Sequence, residues 1–310
     1  MTQTRPLQAA LSILAAMVLI GFIDNYVVVI AETGGLWQFH LVRTAMILPM
    51  LVAIALAFGV SLRPRRWRAV VGRSLFISTA MILYFGSLAF LPITQSVAGL
   101  FTSPLFVLLI TGFFLRERVG PIRMLAAAIG FAGVLLVLQP WGAEVSPWAA
   151  LAVASGFFYA VGAMATRRWC AGEETLTLTG AMFLAMAVWG SLGLGLLAIF
   201  PQDAPAGADG FVLRGWVAPG GTFLFWTAVQ AVGSLVAVWL ITRAYQLGEA
   251  PFVALFEYSL LVSVSAWAFM LKGERPGALA LVGIALIVVA GVVIALRERR
   301  LTPPAPQTPA

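Results

Sequence analysis

The chain has 310 residues, of which 61% are hydrophobic and 10% charged, with a net charge of +7. Soluble domains hold about 45–50% apolar and about 25% charged residues, so this composition excludes a soluble fold and fits a bilayer. The cations sit in short loops between apolar runs, which argues against a nucleic-acid partner, and a single cysteine (Cys170) and a single histidine (His40) exclude a disulfide framework and a multi-histidine or cysteine metal site.

Ten apolar runs, each of roughly 20 residues and long enough to cross a membrane as a helix, follow in chain order. The first, Leu7–Ala31, is read as a retained helix rather than a cleaved leader, and it carries Asp24. The second, Trp37–Val60, carries His40 and Arg43, and the third, Ala69–Leu91, carries Tyr84. The fourth, Ile93–Leu115, contains Gln95 and a central Pro104, which removes a backbone hydrogen bond and predicts a kink. Pro121–Leu138, Pro147–Thr166 and Leu176–Phe200 come next; glycines 190, 193 and 195 in the last read as close-packing surface rather than a phosphate loop. Thr222–Leu247 carries Gln230, Ala250–Leu271 carries Glu257 and Tyr258, and Gly277–Leu296 is the tenth. Residues 298–310 are proline-rich and expected to be a disordered tail.

With the N-terminus inside, 15 arginines fall on the inner side (5, 63, 65, 66, 68, 73, 116, 118, 123, 167, 168, 243, 297, 299 and 300) and three cations on the outer side (Arg214, Lys272, Arg275). That bias puts both termini in the cytoplasm of a multi-pass plasma membrane protein, in a bacterium the inner membrane. The run Leu62–Arg68 reads as a topology anchor touching anionic lipid headgroups.

The chain also repeats itself. Leu115-Arg116-Glu117-Arg118 and Lys272-Gly273-Glu274-Arg275 place Glu117 and Glu274 157 residues apart, each followed by a proline (Pro121, Pro276). Ala132-Gly133-Val134 then recurs as Ala290-Gly291-Val292. Five helices is an odd number, so the second copy enters the membrane inverted. Inverted repeats belong to secondary transporters, whose substrates bind near the midplane between the halves. The expected division is 7–140 and 147–297, with Glu117 and Glu274 as structural elements tying the end of one helix to the next.

These duplicated motifs together resemble the drug/metabolite transporter superfamily, EamA type. Asp24, Arg43 and the Glu257-Tyr258 pair resemble positions in subgroups of it. The resemblance implies an all-α, ten-helix carrier with a central cavity and a small-molecule substrate, without naming that substrate. The halves are not equivalent: Leu261 stands where Pro104 does, and Leu100 where Glu257 does.

A charge inside the bilayer costs about 2.5–3.5 kcal/mol on insertion scales, which makes Asp24, Arg43 and Glu257 the candidates for function. Asp24 and Arg43 lie about 10 Å from the same membrane face at about 1.5 Å per residue, so an ion pair, a site for a substrate carboxylate and a fixed salt bridge are all open. His40 lies one turn from Arg43. Glu257 has no local counterion other than Arg243. It reads as a substrate or proton-coupling group, or as a helix brace. Tyr84, Gln95, Gln230 and Tyr258 line a cavity or pack in the core. The chain has no Walker motif and no hydrolase signature, and no cofactor is expected. The leading reading is a secondary transporter of a small amphipathic metabolite. A lipid-modifying membrane enzyme and a non-transporting receptor or assembly subunit are the alternatives.

Overall fold

A computed structural model of the chain describes residues 5–87, 91, 93–139, 141, 147–273 and 275–301. Among these, nine helical stretches are long and apolar enough to cross a membrane, and a shorter apolar helix covers Ala278–Val293. The protein is an all-α membrane protein of about ten helices.

The elements are α1 (Pro6–Asp24), α2 (Val27–Thr33), α3 (Leu36–Phe58), α4 (Trp67–Ser87), α5 (Ile93–Leu100), α6 (Ser103–Leu109), α7 (Pro121–Leu138), α8 (Ala149–Arg168), α9 (Thr175–Ile199), α10 (Gly221–Leu247), α11 (Ala250–Phe256), α12 (Ser259–Lys272) and α13 (Ala278–Leu301). Proline opens α1, α6, α7 and α11, where its missing N–H costs nothing. Gly59 and Gly273 close α3 and α12 in the left-handed region. Helix α13 runs to Leu301, past the expected start of the tail at 298, and residues 302–310 lie outside the described residues.

Three spans are broken. Span 1 breaks at Asn25-Tyr26 between α1 and α2, span 4 at Phe101-Thr102 between α5 and α6, and span 9 at Glu257-Tyr258 between α11 and α12. Span 4 is interrupted just before Pro104, which stands in the first turn of α6, but proline is not the general cause of such breaks. The corresponding break in span 9 lies 156 residues on and has Leu261 where the proline would stand. There, Leu260 and Leu261 donate to Glu257 and Tyr258 in tight three-residue turns.

Helix pairing is reciprocal. Span 1 packs on span 8 and span 3 on span 6, while span 2 packs on 7, 5 on 10, and α6 of span 4 on α11 of span 9. An exchange of two five-span units produces this pattern. The seam between spans 5 and 10 needs small residues: a Cβ on Gly133 would lie 2.7 Å from the Gly283 carbonyl. Loops bearing Arg5, Arg65–Arg66, Glu117–Arg123, Arg167–Glu174 and Arg243–Glu249 gather at one end. Arg5 N–H donates to Leu247 O (2.9 Å), Arg123 pairs with Glu249 (2.7 Å) and Arg168 with Glu117. Glu117 thus ties span 4 across to span 6 rather than to the next helix, span 5. Both partners are exposed, so the tie is weak, on the order of 0–1 kcal/mol. Glu274 lies outside the described residues. At the opposite end Arg214 donates to Ala31 O and Gly34 O, both at 2.7 Å, and so holds residues 201–220 over spans 1 and 2.

Candidate functional site

The break in span 1 exposes backbone that neighbouring side chains complete. Asn25 Nδ2 donates to Gly21 O and Gln230 Nε2, from α10, to Ile23 O, both at 2.7 Å. Gln230 therefore braces the break. Asp24, the last residue of α1, remains accessible and lies within electrostatic reach of Arg43 and Tyr84. Beside it Tyr26 stacks on Trp226 with ring centroids 3.8 Å apart.

Arg43 and Asp24 lie within electrostatic reach of one another, but they form no ion pair within bonding distance among the described residues. Arg43 Nη2 instead meets His40 Nδ1 at 3.0 Å, and its guanidinium lies 4.6 Å from the Phe39 ring centroid and 5.6 Å from that of Phe183. Arginine only donates, so His40 Nδ1 accepts and the imidazole proton is assigned to Nε2. His40 is fully buried, with Phe85 edge-on at 5.2 Å. Its Nε2 and Arg43 Nε are buried without partners. Each such unmade hydrogen bond costs about 1–3 kcal/mol. The cluster therefore offers two unused donors and one accessible acceptor among aromatic rings.

The second polar zone lies at the break in span 9. Glu257 is 4% exposed. Its Oε1 accepts from Tyr159 OH on α8 (2.7 Å) and Tyr245 OH on α10 (3.1 Å). Arg243, the cation expected to reach it, does not, and no described residue bonds to Oε2. Tyr258 is buried and its hydroxyl has no partner. Its ring fills the space left by Gly130 on α7, where a Cβ would lie 2.6 Å from Cδ2. The two broken spans touch, since α1 packs on α11 and α12. Tyr84 is half-buried beside Phe85. The side chain of Gln95 lies outside the described residues.

One residue was misread from the sequence. Arg73, counted among the loop charges, is a buried member of α4 at 2% exposure. Its Nε donates to Thr166 Oγ1 on α8 (3.0 Å), Nη1 to Leu178 O on α9 (2.9 Å) and Nη2 to Thr242 Oγ1 on α10 (3.1 Å). Its position inside the third apolar run was the available signal. Tyr159 and Cys170 lie within its electrostatic reach. Cys170 is fully buried, and burial pushes its thiol up to about 11. The native thiol is therefore expected to resist alkylation near neutral pH, which leaves introduced cysteines readable.

Residues 7–139 match the EamA-like transporter family. The chain is similar to riboflavin transporters of Rhizobium johnstonii (29% identity, covering 87% of this chain and 82% of the relative) and Vibrio cholerae (27%, 95% of each). It is also similar to the pseudopaline exporter of Pseudomonas aeruginosa (26%, 78% and 79%). The first half of this chain is thus similar to EamA-like transporters. The relatives that it resembles over most of its length are named as transporters of small molecules. A solved structure with a TM-score of 0.78 and 20% identity, aligned over 94% of this chain and 98% of its own, shares the fold.

Proposed function

We propose that this chain is an EamA-type transporter that carries a flat, amphipathic heteroaromatic metabolite of the flavin class by alternating access between two inverted halves, 7–140 and 147–297. The observation that carries the reading is the pair of broken spans in contact, each with an acid at its break, Asp24 and Glu257. Discontinuous helices at mid-membrane are where such carriers hold substrate and coupling ions. The flavin class is supported by two relatives named as riboflavin transporters and by the local chemistry. Stacked and edge-on rings suit a flat ring system, and unused donors on His40 and Arg43, with the Asp24 carboxylate, suit its alternating carbonyl and N–H edge.

Purified protein in liposomes is expected to accumulate labelled riboflavin and to return it chemically unchanged, as a carrier rather than an enzyme would. Saturable transport of S-adenosylmethionine with none of riboflavin would reject the flavin reading. Arg43→Gln is expected to weaken apparent affinity about tenfold or more, the loss of one charge-assisted hydrogen bond, with the fold intact. The exchanged pair Asp24→Arg, Arg43→Asp is expected to stay inactive, because the two are not bonded. Recovery of uptake in that exchange would show direct pairing.

The arginine-rich end is assigned to the cytoplasm, with both termini, by the excess of arginine. A cysteine at Pro205 is expected to react with an impermeant maleimide on intact cells and one at Pro64 only after permeabilisation. The reverse pattern would invert the topology.

A further inference from the structure

A cleft of about 260 Å³ opens at the arginine-rich end between α8, α9 and α10. Arg167 and Thr166 enter it from α8, Thr175 from α9, Arg243 and Gln246 from α10, and the turn 171–174 closes one side. Most of its polar lining is already engaged. Thr175 Oγ1 donates to Gln246 Oε1 (2.6 Å) and Gln246 Nε2 to Glu173 O (2.9 Å). The Glu173 carboxylate is turned away, accepting from the backbone N–H groups of Arg65 (3.0 Å) and Arg66 (2.6 Å). Glu174 also lines the cleft, yet it bonds to neither arginine. What remains beside Glu174 is two cations. Arg167 Nη1 is buried and unpartnered, and Arg243 has no bonded partner among the described residues.

A guanidinium N–H shut off from both water and protein acceptors is a costly arrangement, relieved by an acceptor from outside. Two guanidiniums on separate helices match the charge and multiple acceptor oxygens of a phosphate. We propose that this cleft binds a phosphate group, supplied by the headgroup of an anionic phospholipid or by free phosphate. Thr166 on its wall accepts from Arg73, and α10 supplies both Arg243 and the second Arg73 hydroxyl, Thr242. A phosphate bridging Arg167 and Arg243 joins α8 and α10, two of the three helices that Arg73 holds, and steadies the arginine-rich end.

The test uses the full chain in phosphatidylcholine nanodiscs, with thermal unfolding and native mass spectrometry as readouts. Adding about 20 mol% phosphatidylglycerol, or inorganic phosphate against chloride at equal ionic strength, is expected to raise Tm by about 5 °C. A shift with phosphatidylglycerol but not phosphate assigns the lipid headgroup, and equal shifts assign free phosphate. Arg167→Gln/Arg243→Gln is expected to lose most of the shift and the retained lipid, while Arg65→Gln/Arg68→Gln, which removes two cations of the same end outside the cleft, keeps both. Arg243→Gln alone removes no internal bond and serves if the double variant is unstable. No shift with either probe, or a shift unchanged by the Arg167 and Arg243 substitutions, overturns the proposal.

Discussion

Glu257→Gln is expected to fold and insert like the wild type and to lose transport at least tenfold, with a flat response to pH across the near-neutral range. Glutamine keeps the shape of the side chain and an Oε1 that accepts from Tyr159 and Tyr245. It removes only the charge and the exchangeable proton. Those are what a coupling or substrate-binding group must supply, and Oε2 is unbonded among the described residues. Glu257→Leu is a different experiment. It leaves two buried tyrosine hydroxyls without their acceptor, at about 1–3 kcal/mol each, and is expected to destabilise the protein outright. The pair separates charge from bracing. Proteoliposome uptake by Glu257→Gln at the wild-type rate and with the wild-type pH profile would reduce Glu257 to a brace.

Arg73→Gln is expected to give the largest loss of stability among single substitutions of this protein, on the order of 3 kcal/mol, together with loss of transport. Arg73 reaches acceptors on three helices at once, and its fork is the feature that does so. Lysine offers one compact ammonium and is expected to rescue little. Cys170 supplies an internal gauge of the mechanism. It is fully buried beside Arg73, so if Arg73 pins the arginine-rich end shut, its removal is expected to speed alkylation of Cys170 several-fold under conditions where the protein remains folded. Wild-type alkylation kinetics in a folded Arg73→Gln protein would mean that the arginine stabilises without closing that end.

Hydropathy and charge, read along the chain, determined the membrane class, the number of spans and most of their limits. Each span is set by local content: roughly twenty apolar residues must satisfy their backbone bonds internally, whatever surrounds them. The same reading picked out the intramembrane ionisable groups Asp24, Arg43 and Glu257, because their cost is intrinsic. Depth could be counted as well, and Arg43 and Asp24 do approach one another.

The tertiary structure decided what each of these groups touches. Depth gives height along a helix but not the direction around it, and a helix with side chains is about 10–12 Å across. Equal depth therefore left open whether Arg43 would meet Asp24 or turn to His40. Tyr159 and Tyr245 sit inside apolar runs with nothing to mark them until α8, α10 and α11 converge on one carboxylate oxygen. Arg73 looked like a loop charge because a basic patch ends at Arg68, five residues before it. It is buried only because α8, α9 and α10 bring two hydroxyls and a carbonyl to it from residues 93 to 169 positions further along the chain. Such partners are distant in sequence and chosen by which helix faces meet, so only the packed fold specifies them.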